Sequence, residues 1–360
     1  MFAAEAAPVN APSAGRLELP SASLAAAPMA LPPSRAPTPS RLEQTPYRTR
    51  FGDARQEALA DNGGTEETEQ AVADGLSYLA ATQHASGQWG DAGDYDDKYG
   101  HVAVGKTALC LLAFLGAGHT PDSASEHADV ADRAVDFLLG VQDPDTGHFG
   151  FASSYSHGVS TYALAECLAL TRDDRLRAPL QRAVAWILRQ QSDSADPRRR
   201  GGWGYYYPDG REFDSWPRSS ITAWQIMALE SARLAGLSVP DAAFARARDF
   251  LVNAHRPDRG VILYAHDPSR LRERYWTLPG STPAGLFALS LLGEDVRDQT
   301  WDSAIAFIRE RPPQGRFRRP SNDDFVLRAR TNLYFWYYAT LVMLRHGGEP
   351  WDDWNQRLQD

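Results

Sequence analysis

Cysteine is nearly absent: Cys110 and Cys167 are the whole complement of a chain of 360 residues. Two thiols exclude a disulfide framework and any four-cysteine zinc or iron–sulfur site. Long apolar runs are missing as well. No stretch reaches about 18 uninterrupted apolar residues, and no basic segment leads into an apolar one near Met1, so neither a membrane span nor a signal peptide is visible. Positive charge is not in excess. With 37 Lys and Arg against 46 Asp and Glu the net charge is −9, which gives no general attraction to nucleic acid or an anionic bilayer, and no nucleic-acid partner is expected. There is no His-Glu-x-x-His, no Gly-x-Ser-x-Gly elbow and no Cys-Gly-Glu-Gln thioester.

What is present suits a large core: 43% hydrophobic residues, with 10 Trp, 14 Tyr and 14 Phe. Residues 1–46 differ from the rest. They hold 12 Ala, 9 Pro and 5 Ser with no Trp or Tyr, too little apolar surface to offset backbone ordering, and read as a disordered arm. Residues 47–64 read as a linker or short extra helix, and 65–360 as one folded domain.

That domain repeats. Five segments align on Tyr78-Leu79, Phe137-Leu138, Trp186-Ile187, Phe250-Leu251 and Phe307-Ile308. Each is amphipathic at helical spacing; Val72, Leu76 and Leu79 share one face, Asp74 and Ser77 the other. Each is followed by a segment that is apolar almost all round: Thr107 to Leu115, Val159 to Leu170, Ile221 to Leu229, Pro283 to Leu292, and Leu333 to Leu344. A helix apolar on every side is buried on every side. Alternating half-polar and fully apolar helices predict two concentric rings, an all-α α/α toroid of about five hairpins. The joints carry a signature: Gln83…Gly87-Gln-Trp89, Gln142…Gly147-His-Phe149, and Gln191 with Gly202-Trp203 after a longer insert. Glycine allows the left-handed turn that ends a helix, and the glutamine amide can satisfy orphan backbone groups there.

This Gln-x(3,4)-Gly-x-aromatic repeat resembles that of squalene–hopene and oxidosqualene cyclases and protein prenyltransferase β subunits. Ser156-His157-Gly158, Thr222-Ala-Trp224-Gln225 and Asn332 to Thr340 resemble single-toroid bacterial proteins of that superfamily. The resemblance covers about residues 65–360 and implies a toroid, with the reaction left open. Members of the group often carry a membrane anchor and a low-complexity linker ahead of the toroid. The arm fits that place, so peripheral membrane association through an anchor ahead of Met1 is an expectation the resemblance carries.

Asp94-Tyr95-Asp96-Asp97 spells the Asp-x-Asp-Asp motif with which class II terpenoid cyclases protonate an alkene or epoxide. Neighbouring carboxylates raise one another's pKa and keep one protonated. In the cyclases Thr-Ala follows at once, whereas Thr107-Ala108 lies ten residues after Asp97, and a solvated turn is the competing reading. Glu166 stands in an apolar helix one turn after Tyr162 and demands a partner: a fixed hydrogen bond, or a role as cavity acid or base with His157 at the helix entrance. Tyr162, Trp216, Trp224, Trp276, Tyr334, Trp336, Tyr337 and Tyr338 are candidates to line a central apolar pocket for an isoprenoid or related lipid, though core packing would select the same residues.

If the hairpins are parallel, their joints share one rim, basic on one side, where Arg198, Arg199, Arg200, Arg316, Arg318 and Arg319 are candidates to bind an anionic head group. Gly100-His-Val-Ala-Val-Gly105-Lys106-Thr107 matches the phosphate-loop pattern letter for letter but lacks the apolar strand that pattern needs in front. Zinc-dependent prenyl transfer needs a reactive thiolate, and both cysteines read as small buried hydrophobes, so no metal and no cofactor is expected. Two functions stand: a lipid-binding toroid with cyclase-like acid chemistry if it is an enzyme, or a non-catalytic scaffold for protein partners.

Overall fold

Helices with opposite burial patterns alternate along the chain. The computed structural model describes residues 45–90, 102–149, 154–205, 216–266, 277–313, 329 and 332–359. All belong to one compact unit, Ala36–Asp360; the other unit, Met1–Arg35, lies outside the described residues. A 3₁₀ turn, Pro46–Arg50, leads into α1 (Gly52–Asp61). There follow α2 (Glu66–Thr82), α3 (Val102–Gly116), α4 (Ala128–Gly140), α5 (Ser154–Thr171), α6 (Arg177–Gln190) and α7 (Ser219–Leu234). The chain ends with α8 (Asp241–Ala254), α9 (Ser281–Leu291), α10 (Asp302–Arg309), α11 (Leu333–His346) and α12 (Gly348–Gln359). The strands named among the described residues are a two-residue pair, β1 (His255–Arg256) and β2 (Val261–Ile262), antiparallel with His255 opposite Ile262.

The even-numbered helices are amphipathic. In α4, Val130, Ala131, Ala134, Val135 and Leu138 recur at three- and four-residue steps and are buried, while Asp129, Asp132 and Asp136 fall between them. The start of α2 is fixed by a capping box between Thr65 and Thr68, with Glu66, Glu67 and Glu69 placed against the positive end of the helix. The odd-numbered helices from α5 to α9 are buried almost throughout, from Ser154 to Leu168 in α5 and Ser219 to Leu229 in α7. They pack in sequence, α3 on α5, α5 on α7, α7 on α9 and α9 on α11, inside the even-numbered set. At the seam, α12 returns to the α1–α2 turn, where Asn355 Nδ2 donates to the Asn62 carbonyl (3.1 Å) and Gln359 Nε2 to that of Gly63 (2.8 Å). The α/α toroid expected from the repeats is the fold.

Each joint is a staple between hairpins. Gln83 Nε2 donates to the Gly87 carbonyl within its own repeat (3.0 Å) and to Val130 at the start of the next outer helix (2.9 Å). Gln142 does the same to Gly147 and Pro179, and Gln191 to Gly201 and Ala243. The amide oxygen in turn accepts from Arg133, Arg182 or Arg246 of that next helix. The glycines lie so close to it that a Cβ would stand 2.1 Å from the Arg133 oxygen at Gly87 and 2.0 Å from the Arg246 oxygen at Gly201, both at positive φ.

A further element of the repeat was not read from the sequence. The backbone N–H of the aromatic after each glycine donates to a buried acceptor on the following inner helix: Trp89 to Thr107 Oγ1, Phe149 to His157 Nδ1 and Trp203 to Thr222 Oγ1. In the fourth joint His255 replaces glutamine and Ile262 replaces the aromatic, yet Ile262 N–H still reaches Thr282 Oγ1 (3.2 Å). This disposes of the phosphate-loop match. Gly105, Lys106 and Thr107 lie inside α3, and the hydroxyl that would serve a nucleotide's magnesium holds the Trp89 amide.

Candidate functional site

Three helices present the same kind of face to the centre. Residues seven and eleven apart return to one side of an α-helix, and at 1.5 Å per residue they mark depth along it. On α5 these are Tyr155, Tyr162 and Glu166, spanning roughly 16 Å. On α7 they are Ser220, Trp224, Met227 and Ser231, and on α11 Tyr334 with Tyr337 and Tyr338 one turn deeper.

The upper layer is polar. Tyr155 and Ser220 share a hydrogen bond of 2.6 Å, and Tyr205 and Tyr264, from the joints before α7 and α9, share one of 3.1 Å. The Tyr155 and Tyr205 rings meet edge to face at 5.8 Å, and the Arg218 guanidinium lies 5.5 Å over Tyr264. Burial holds every one of these phenols above its ordinary pKa, so they are neutral hydroxyls.

The middle layer is aromatic. Trp224 is stacked on Tyr337 (6.2 Å, 13°) and meets Tyr338 edge-on (5.5 Å) and Tyr162 at 6.4 Å, while Tyr338 touches Phe287 of α9 and donates to Met227 Sδ (3.4 Å). Tyr337 is 43% exposed, yet burial pushes its hydroxyl up to about 12, with the Glu166 charge adding to the shift. The Tyr337 ring is thus partly exposed while it stacks on Trp224.

The base is closed from outside the repeats. Arg50 donates to Glu166 Oε2 (2.8 Å) and to the Leu115 carbonyl at the end of α3 (3.4 Å), and the Tyr47 hydroxyl donates to Ser231 of α7 (3.2 Å). The Pro46–Arg50 turn is thus a stopper under three inner helices.

The sequence-predicted residues divide accordingly. Tyr162, Trp224, Tyr334, Tyr337 and Tyr338 come together. Glu166 reaches the same face as the ion-pair partner of Arg50. His157 does not join it. Nine residues from Glu166, it is buried with Nδ1 accepting from Phe149 N–H (3.1 Å) and Nε2 against the Ala183 carbonyl (3.2 Å), and it stacks on His148. Burial holds its pKa well below the usual 6.5, so the imidazole is neutral and its single proton goes to Ala183. The pairing of His157 with Glu166 as acid and base is therefore corrected.

Trp216 sits on the joint before α7, with Arg198 and Arg199 over its ring (5.8 and 4.9 Å). Arg198 is also clasped by Asp196 (2.7 Å), and Arg200 Nε donates to the Ser194 carbonyl. These arginines order their own loop, and the free anion site proposed for Arg198 and Arg200 is not what the geometry shows. Trp336 is half-buried against the core. Asp94, Asp96, Asp97, Trp276, Arg316, Arg318 and Arg319 lie outside the described residues. Burial raises the thiols of Cys110 and Cys167 to about 11 and about 12, so both are protonated at neutral pH and unsuited to zinc. Among the described residues no three His, Cys, Asp or Glu converge on a metal position, and no helix is long and apolar enough to cross a membrane.

Tyr47, Arg50, Tyr155, Tyr205, Ser220 and Tyr264 are site residues that sequence reasoning missed. The spacing Tyr155–Tyr162–Glu166 was the one available signal.

These layers inside two rings of helices define the class: an α/α toroid with a lined centre. Residues 104–261 match the family model described as the squalene-hopene cyclase C-terminal domain. A stretch of 97 residues is 34% identical to the squalene–hopene cyclase of Bradyrhizobium diazoefficiens, covering 27% of this chain and 13% of that protein. Another of 107 residues is 33% identical to a probable squalene–hopene cyclase of Sinorhizobium fredii, covering 30% and 15%. The match thus spans about an eighth of the length of these relatives. Among solved structures, a D-mannose isomerase superposes with a TM-score of 0.53 at 15% identity, over 74% of this chain and 75% of that one, a likeness of fold. The chain is an α/α toroid, and its residues 104–261 are similar to the C-terminal domain of squalene-hopene cyclases.

Proposed function

We propose that the inner ring holds an isoprenoid or related long-chain lipid, its apolar chain against Tyr162, Trp224 and Tyr337 and its end toward the tyrosines of the upper layer. The observation that carries this reading is the aromatic wall built from α5, α7 and α11, where Trp224 stacks on the partly exposed Tyr337 and meets Tyr162 and Tyr338. Such a wall offers large apolar area and π faces at little conformational cost. The relatives that share the repeat act, by their names, on squalene, a hydrocarbon of this kind.

Cyclase-like acid chemistry, if the toroid performs it, falls to Asp94, Asp96 and Asp97, because Glu166 is engaged by Arg50 and His157 by two backbone groups. The scaffold reading has one feature in its favour, a groove of about 630 Å³ at the seam, lined by Leu59, Ala71, Trp351 and Leu358.

Solvent extraction of the purified protein followed by mass spectrometry decides between them. A polyisoprenoid or long-chain lipid should co-purify with the native chain and with Asp96→Asn and be depleted in Tyr337→Ala. Equal recovery from Tyr337→Ala, or none from the native chain incubated with squalene, would overturn the proposal.

A further inference from the structure

The helices that close the ring leave an apolar face uncovered. Where α4 buries five apolar residues against the ring, α1 buries none and α2 buries Leu76 alone. Between these two helices and α12 runs the seam groove of about 630 Å³, with Leu59, Ala71, Trp351 and Leu358 on its walls. Leu358 is 41% exposed. On α2 the groove is lined by Glu67 and Ala71, and Gly75 and Tyr78 continue that face of the helix at the same three- and four-residue steps, for roughly 16 Å. Both are exposed. An apolar strip of this kind rimmed by polar residues marks an interaction site.

Charge says what fits there. Helices α1, α2 and α12 hold ten acidic residues and two arginines, a net charge of −8 in a chain that carries −9 overall. Arg55 holds Glu69, and Arg309 of α10 holds Glu349 and Asp353. Glu57, Asp61, Glu66, Glu67 and Asp352 are exposed, and each lines the groove or stands next in sequence to a residue that does. Such a rim repels an anionic bilayer, and a second copy of the chain would bring the same charges to it. A helix fits both features. It sets the ridge of one apolar stripe into a groove between helices and carries the opposite charge on its flanks.

We propose that the seam is a docking site for a basic amphipathic helix of a partner protein, its apolar stripe on Leu59, Ala71, Trp351 and Leu358 and its Lys or Arg residues against the acidic rim. The groove lies apart from the aromatic layer of the inner ring, so this site does not depend on a lipid being held there.

The test titrates the full chain, by fluorescence polarisation, against two labelled peptides of about five helical turns. Both carry leucine at three- and four-residue steps; the other positions are lysine in one and glutamate in the second. The lysine peptide should bind at least about tenfold more tightly and lose affinity between about 0.05 and 0.3 M salt. Any acidic protein attracts a lysine peptide, so variants locate the site. Leu358→Gln, at an exposed position, should weaken the lysine peptide about three- to tenfold. Glu57→Lys with Asp61→Lys should do about the same, the new cations standing in the half of α1 where the helix dipole favours them. The same charge change at Asp145 and Asp249, exposed residues of the second joint and of α8, should matter less than about twofold. A lysine peptide that binds no better than the glutamate peptide, or that Leu358→Gln leaves unaffected, overturns the proposal. So does a native chain that sediments as a dimer while Leu358→Gln sediments as a monomer, because the groove then holds a second copy.

Discussion

Removing Arg50 should hurt the toroid more than removing the charge it neutralises. Glu166 is 2% exposed and Arg50 20% exposed at the side chain. In Arg50→Ala the carboxylate stays under the middle layer with its charge unpaired, a loss of the order of 3–5 kcal/mol. In Glu166→Gln the shape is kept and the guanidinium still has the Leu115 carbonyl and a route to water, so the loss is that of one charge-assisted hydrogen bond, about 1.5–3 kcal/mol. The double variant buries no charge at all and should be more stable than Arg50→Ala by about 1–2 kcal/mol. Urea unfolding followed by circular dichroism supplies all four corners of the cycle. If Arg50→Ala costs no more than Glu166→Gln, or the two losses simply add, Glu166 does not depend on Arg50 and the stopper has been misread.

Other expectations concern the scaffold. Gln191→Ala deletes bonds to Gly201, Ala243 and Arg246 across two hairpins and should lower stability by about 2–4 kcal/mol in the same unfolding assay. Gly201→Ala sets a Cβ 2.0 Å from the Arg246 oxygen at a φ of 85° and should reduce the soluble folded yield, whereas Gly236→Ala, also at positive φ but in open space, should cost only about 1 kcal/mol. Stability should also fall with acid. Burial holds His157 well below 6.5 and His266 at about 4, so below pH 6.5 the unfolded chain takes up protons that the native imidazoles refuse. The cost is about 1.4 kcal/mol per pH unit for each, ending near pH 4 for His266. Urea midpoints measured from pH 7.5 to 5 should decline, less steeply in His266→Gln; a rise would contradict the assignment.

The architecture was legible because it is written in local periodicity. Half-polar and fully apolar helices differ in pattern within a dozen residues, and Gln142 and Gly147 stand five residues apart. The bonds that tie repeats together were not legible. Gln142 reaches Pro179 and Glu166 finds Arg50, partners 37 and 116 positions away, and no spacing announces them. The aromatic wall could be drawn only as a set of candidates, since core packing and pocket lining select the same side chains. Tyr155 was missed because its chemistry arises from Tyr205 and Tyr264, which two other joints deliver to it. A letter match is not local structure: Lys106 and Thr107 complete a phosphate-loop string that lacks its preceding strand, and helix α3 runs straight through them.

The central claim is that a lipid chain occupies the inner ring at the level of Trp224 and Tyr337. Photocrosslinking with a diazirine-tagged isoprenoid alcohol, followed by peptide mass spectrometry, tests it directly. Adducts should concentrate on the peptides of α5, α7 and α11 and be competed away by unlabelled geranylgeraniol. Labelling confined to the outer helices or to the seam between α1, α2 and α12 would contradict the account.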